Sequence, residues 1–279
     1  MKKIALLFFL SSFIFSCSIT DPDPVPDLPL EYTAMADVSY GSQPRQVYDI
    51  YLPADRTSST KTMVLIHGGG WNSGSKADMN AFRDILREQF PEVAVVNMNY
   101  RLAGPNLSPF PMQIDDITTV IDDLRAKKSN YVIGEEIGFI GASAGGHLAL
   151  LWSYGYDIRK QVNMVCSIVG PTNLTDKAYL STTNQELEEM LEQFGFDESQ
   201  LEAASPLYRV GADAPPTLLF YGGRDPLIPN SQGMDMRDRL QELGVAHEFH
   251  FYPNEGHGWI GLNLLDSILK LRAFMIEHF

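Results

Sequence analysis

Cysteine is nearly absent from this chain, which has two, Cys17 and Cys166, in 279 residues. Basic residues are also few, 21 Lys and Arg against 35 Asp and Glu, for a formal charge of −14. Binding to phosphate backbones draws on clustered cations, so a nucleic-acid partner is not expected. The acidity reads as a soluble surface. No apolar run reaches the roughly 20 residues of a bilayer-spanning helix, and no stretch repeats. None of the six histidines stands at metal-ligand spacing with a second histidine and a carboxylate, so no metal site is expected. What is present is 44% apolar, 11% aromatic and 20% charged. That describes a folded globular chain with material for one sizeable core.

The first thirty residues stand apart. Lys2 and Lys3 precede an apolar run over residues 4–15, interrupted only by Ser11 and Ser12. A basic start and a short apolar body read as a secretion signal. The run ends in Ile14-Phe15-Ser16-Cys17, which resembles the lipobox of bacterial lipoproteins. The resemblance implies cleavage after residue 16, lipid on Cys17 and a membrane-anchored, extracytoplasmic protein, periplasmic or at the cell surface, with the outer membrane as the expected address. An ordinary signal peptide with an incidental cysteine is the alternative. Loss of Lys2 and Lys3 would take the charge from −14 to −16. A lipidated Cys17 would also leave no pair for an intramolecular disulfide. Residues 17–30 carry alternating Pro and Asp, which form neither helix nor sheet and suit an extended tether.

From Glu31 onward short β-rich runs alternate with helix-period stretches. Residues 48–52, 63–66, 93–98, 137–140, 162–169, 217–221 and 247–252 read as strands. Helical spacing links Met79, Phe82, Ile85, Leu86 and Phe90, and again Ile114, Ile117, Ile121 and Leu124, with Pro111 at the start of the second helix. A helix over 231–243 should stop at Gly244 in a left-handed cap, and a last amphipathic helix covers 262–279. The alternation predicts an α/β fold, a mostly parallel central sheet covered by helices on both faces. Such sheets place chemistry in loops at the carboxyl ends of their strands. Residues 172–206 break the alternation and read as a small cap or insertion within a domain spanning 31–279. Cys166 lies in an apolar strand and reads as a buried hydrophobe.

Gly141-Ala142-Ser143-Ala144-Gly145 follows one predicted strand and opens a helix. G-x-S-x-G works because its serine stands on a strained strand-to-helix turn that raises the hydroxyl above the sheet. The helix that follows directs its positive end at the same place. Ser143 is therefore the candidate nucleophile. His67-Gly68-Gly69-Gly70-Trp71 follows another strand. Its glycines let backbone N–H groups approach a developing oxyanion closely. The candidate donors are the amides of Gly69, Gly70 and Ala144. A phosphate-binding loop would need G-K-[ST], whereas the chain runs Gly74-Ser75-Lys76. The dinucleotide pattern fails at Ser73. His67 precedes the glycines and reads as a support for the loop.

A serine hydroxyl needs a base, and the base needs a carboxylate to fix its tautomer. After G-x-S-x-G the chain order is serine, acid, histidine. Asp225 in Gly222-Gly223-Arg224-Asp225-Pro226 and His257 in Glu255-Gly256-His257-Gly258 each follow a strand in that order. Glu255 and Asp213 are the alternative acids. His147, His247, His250 and His278 lie in elements or at the tail and compete poorly as base.

Together these motifs resemble the α/β-hydrolase superfamily, and within it the hormone-sensitive-lipase-like carboxylesterases. Asp49-Ile50-Tyr51-Leu52-Pro53, Asn99-Tyr100-Arg101-Leu102 and Phe110-Pro111 match as well. The H-G-G-G-W form with a short cap is similar to bacterial acetylxylan and feruloyl esterases and to arylformamidases. The resemblance implies ester hydrolysis through an acyl-enzyme, with no metal, nucleotide or flavin. It implies a small ester or acylated oligosaccharide as substrate, with Trp71 near it or packed behind it. Arg101 and Asp115 read as a structural ion pair. Small-amide hydrolysis, a prolyl-oligopeptidase-like peptidase and a non-catalytic binding module are the rival readings.

Overall fold

The computed structural model describes residues 29–181, 184–195 and 197–279. The signal segment, Cys17 and all but the end of the tether lie outside the described residues. Eight strands form one sheet: β1 (Thr33–Ser39), β2 (Val47–Leu52), β3 (Thr62–Ile66), β4 (Ala94–Met98), β5 (Ile137–Ala142), β6 (Val162–Ile168), β7 (Thr217–Gly222) and β8 (His247–Tyr252). Their order is β1-β2-β4-β3-β5-β6-β7-β8. The first two strands join antiparallel, β1 to β2 and β2 to β4. From β4 to β8 every pairing is parallel.

The central strands are apolar without alternation because both faces are covered. On β3, Met63 and Leu65 pack with one core cluster, and Val64 and Ile66 with the other. Helices α1 (Asn80–Gln89) and α8 (Gly261–His278) supply Leu86, Leu271 and Phe274 to the first cluster. Helices α2 (Met112–Tyr131), α3 (Ala144–Gly155) and α7 (Asn230–Leu243) supply Ile114, Leu148 and Leu240 to the second. Cys166 is fully buried in the first cluster, as its setting implied. The predicted strands and helices are all present, with ends shifted by a few residues at most.

Chain order places the site. β4 lies on one side of β3 and β5 on the other, so the loops leaving β3 and β5 diverge over a crevice at the carboxyl edge, where such sheets bind ligands. The loops after β7 and β8 open on the same edge.

Two expectations change, and one strand is added. The partner of Arg101 is Asp116, at 2.7 Å, and not Asp115. One helical residue is about 100° of rotation, which turns Asp115 to solvent and Asp116 inward, where it is fully buried. Pro111 precedes α2 at the N-cap rather than occupying its first turn. The run Thr-Ala-Met-Ala-Asp-Val-Ser forms the edge strand β1, which lacks a buried face and carries a register shift between Met35 and Val38.

The 172–206 segment holds three short helices, α4 (Lys177–Leu180), α5 (Gln185–Glu192) and α6 (Glu198–Ala203). Their buried Tyr179, Leu187, Leu191 and Leu201 belong to the same core cluster as the sheet. The cap is thus continuous with the domain core. Gly244 ends α7 at φ 69°, the left-handed cap its position implied. Among the described residues no helix is long and apolar enough to cross a membrane.

Candidate active site

β5 ends at Ala142, and Ser143 follows at φ 52°, ψ −121°. This is a strained conformation for a residue with a side chain. The strain persists because its surroundings leave no alternative. A Cβ on Gly141 would lie 2.2 Å from the Gly145 carbonyl oxygen, and one on Gly145 would lie 2.1 Å from that of Ile66. The Ser143 N–H donates to the Ile168 carbonyl at 2.8 Å, tying the elbow to β6. Ala144 begins α3, so its N–H has no helical carbonyl one turn back and is free to point at the site.

Asp225 and His257 arrive from the neighbouring loops. A Cβ on Gly222 would meet the Gly256 carbonyl oxygen at 2.2 Å, and Arg224 N–H donates to the Glu255 carbonyl at 2.8 Å. The two loops therefore close on each other, which explains the glycines ahead of Asp225. Its side chain is 1% exposed. Asp225 Oδ1 accepts the N–H groups of Leu227 at 2.8 Å and Ile228 at 3.0 Å. Asp225 Oδ2 lies 2.8 Å from His257 Nδ1, and His257 Nε2 lies 2.8 Å from Ser143 Oγ. With Nδ1–H given to the carboxylate, Nε2 faces the hydroxyl as an acceptor. The alternative acids have other partners: Glu255 accepts from Asn263 at 2.5 Å, and Asp213 pairs with Lys160 at 2.7 Å on the surface.

The loop after β3 needs its glycines for conformation. Gly69 and Gly70 have φ of 107° and 53°, and a Cβ on Gly69 would lie 2.4 Å from the Ser73 carbonyl oxygen. His67 supports this loop. Its ring stacks on Tyr100 at 4.1 Å and donates from Nδ1 to the Gly68 carbonyl at 2.7 Å. Burial pushes its pKa down to about 4, so it is neutral near pH 7. Arg45 donates to the Gly74 carbonyl at 2.9 Å, and Tyr100 to that of His67 at 2.8 Å.

Gly69, Gly70, Ala144, Ser143 and His257 line one cavity of about 350 Å³, with Tyr179, Leu187 and Leu191 of the cap opposite. Trp71 also lines it but is only 3% exposed. Its carbonyl accepts from Gln113 at 2.7 Å, and its indole N–H donates to His147 Nδ1 at 3.1 Å. His147 Nε2 donates in turn to the Ala204 carbonyl at the end of the cap, 2.7 Å away. Burial holds the His147 pKa down to about 4. The neutral ring is therefore a strap joining the glycine loop, α3 and the cap. Sequence reading set His147 aside as helical and missed this role, as it missed Arg45, Tyr100 and Gln113. A lone histidine on a helix carries no spacing signal that would reveal its partners.

Of the sequence-predicted residues, seven meet around this cavity: Ser143, Asp225 behind His257, Gly69, Gly70, Ala144 and Trp71. Cys17 lies outside the described residues. Among the described residues no three His, Cys, Asp or Glu side chains cluster as metal ligands would.

Residues 48–240 match the BD-FAE family model. Among curated proteins the chain is similar to esterase LipC of Mycobacterium tuberculosis, at 29% identity over 85% of this chain and 62% of that protein. It is also similar to isoprenylcysteine alpha-carbonyl methylesterase ICME of Arabidopsis thaliana, at 26% identity over 79% of this chain and 55% of that one. The chain thus spans 55–62% of the length of these relatives. Among solved structures, Thermogutta terrifontis esterase 2 superposes with a TM-score of 0.73 at 21% identity, covering 89% of this chain and 94% of that one. A truncated carbohydrate esterase from gut microbiota superposes at 0.70 and 22% identity, covering 86% and 96%. The matched span takes in the glycine loop, the elbow and Asp225, and the chain belongs to the BD-FAE family, on the α/β-hydrolase fold of the carboxylesterases.

Proposed function

We propose that the protein hydrolyses carboxylic esters through an acyl-enzyme on Ser143, and that its substrates are acyl groups carried on plant polysaccharide. The observation that carries the first part is the unbroken hydrogen-bond chain Asp225–His257–Ser143 at the wall of a cavity that also holds three candidate oxyanion donors. Ser143 Oγ attacks the ester carbon while its proton passes to His257 Nε2. The carbonyl oxygen gathers charge against the amides of Gly69, Gly70 and Ala144, each donor worth roughly 2.7–4 kcal/mol in such sites. The tetrahedral adduct collapses as the C–O bond to the alcohol breaks and His257 returns the proton to the departing oxygen. Water then adds to the acyl carbon, gives its proton to His257, and the acid leaves as Ser143 recovers its hydrogen. Asp225 keeps Nδ1 protonated throughout and stabilises the imidazolium.

Support for polysaccharide comes from two sides. The lipobox-like Ser16-Cys17 and the Pro/Asp tether suit a domain lipid-anchored outside the cytoplasm, where polymer is met. A bifunctional GH43-CE protein of Bacteroides eggerthii is 25% identical over 86% of this chain, which covers 38% of it. The test compares turnover of p-nitrophenyl and feruloyl esters with acid release from acylated xylan. The expected result is hydrolysis of both classes. Turnover of simple esters with neither acetate nor ferulate released from polymer would remove the polysaccharide reading and leave the esterase standing.

A further inference from the structure

Ser143 and His257 also line a second cavity, of about 240 Å³, on the α1 and α8 side of the site. Its walls are less polar than those of the cap cavity. Phe82 of α1, Ile168, Phe220, and Leu264 and Ile268 of α8 enclose it. Trp259, directly after the catalytic loop, forms another wall, and its N–H is already given to Ser267 Oγ at 2.8 Å. Ser267 in turn donates to the Asn263 carbonyl at 2.8 Å. Beyond Ser143 and His257 themselves, these side chains offer a ligand no uncommitted polar group. The cap cavity has apolar walls too, Leu187, Leu191, Leu227 and Ile228 among them, but adds the polar side chains of Asn72, Ser73 and Glu189.

We propose that this second cavity is the acyl subsite, and that it takes an apolar alkyl or aryl acyl arm larger than acetyl. The assignment rests on the esterase reading and adds the class of acyl group to it. Two cavities that share the nucleophile and the base receive the two arms of one ester. After the alcohol leaves, the acyl arm stays, and water must still reach the acyl carbon beside His257. Water enters more readily through the cavity that carries polar side chains in part of its wall than through one lined by Phe, Ile, Leu and Trp. The retained arm therefore belongs in the apolar cavity, and the departing alcohol and incoming water use the cap side. Size agrees with this placement. At about 30 Å³ for a water in the liquid, the cavity holds roughly eight waters, far more than an acetyl methyl displaces.

A chain-length series tests the assignment. Each methylene buried is worth about fourfold in binding, so kcat/KM for p-nitrophenyl butyrate should exceed that for the acetate by roughly fifteenfold. Hexanoate should gain further. Ile268→Trp and, separately, Leu264→Trp fill the cavity from α8, and each should cut the hexanoate-to-acetate ratio at least tenfold. Turnover is normalised to sites titrated by a small phosphonate, so a variant that folds poorly does not distort the ratio. Leu187→Trp, filling the cap cavity, should leave the chain-length ratio in place. A wild-type preference for acetate would overturn the assignment. So would a ratio that collapses with Leu187→Trp and survives both α8 variants. Absence of turnover on every ester, acetate included, would instead defeat the esterase reading on which the assignment rests.

Discussion

Replacing His147 with leucine removes one ring and strands two partners. The indole N–H of Trp71 loses its acceptor at 3.1 Å, and the Ala204 carbonyl loses its donor at 2.7 Å. Trp71 and Ala204 are buried, so neither group can turn to water without opening the core. Leaving one buried polar group unsatisfied costs about 1–3 kcal/mol, and leucine restores much of the lost packing volume. The expected destabilisation is therefore about 4 kcal/mol, the middle of the range for two such groups. At roughly 2–4 °C per kcal/mol for a chain of this size class, the melting temperature should fall by about 8–16 °C. Activity should fall as well, because Trp71 adjoins Gly70 and the strap helps fix both candidate donor amides of that loop. A loss of roughly tenfold to a hundredfold in kcat, with a smaller change in KM, is the signature of weakened oxyanion donors. Calorimetry and steady-state kinetics on one p-nitrophenyl ester read both effects. A shift under about 3 °C, on the same scale of conversion, would refute the claim that the strap carries stability.

Acid should unfold the protein in a window set by two histidines. Burial lowers both His67 and His147 from the ordinary 6.5 to about 4. Below pH 6.5 the unfolded chain takes up protons that the folded one refuses, so stability falls as pH falls from 6.5 to about 4 and levels off below. Each histidine contributes about 3 kcal/mol to that loss. Urea midpoints at pH 7, 5.5 and 4.5 measure it, and the His147→Leu variant should show a shallower decline; identical slopes would contradict the assignment. Asp225→Asn should leave the fold intact, since its oxygen can still accept from Leu227 and Ile228. Its amide would force the wrong tautomer on His257, and kcat should drop by about 10⁴ with KM little changed. A drop under tenfold would point to another acid.

The site was legible in the sequence because its backbone demands are severe. Gly141 and Gly145 have no room for a Cβ, and each functional loop directly follows an apolar strand. Such constraints leave patterns that survive without coordinates. The parallel sheet was legible for a related reason, since strands buried on both faces cannot hide their composition. Features set by long-range partners were not. Arg101 selects Asp116 over its neighbour through the rotational phase of α2, which a sequence fixes only to within a residue. β1 pairs with β2 through backbone bonds while its side chains stay largely outside the core, so hydrophobic periodicity is silent there. Trp71 could be read as a substrate contact or as packing, and only the placement of His147 and Phe194 around its ring shows how it is held.

The central claim is that Ser143 carries the acyl group, and a covalent label tests it most directly. Protein treated with a p-nitrophenyl phosphonate should gain a single adduct per chain, with loss of all esterase activity. Peptide mass spectrometry should place that adduct on Ser143, and Ser143→Ala should fold normally while taking no label and showing no turnover. An adduct on any other residue, or undiminished ester hydrolysis by Ser143→Ala, would contradict the account.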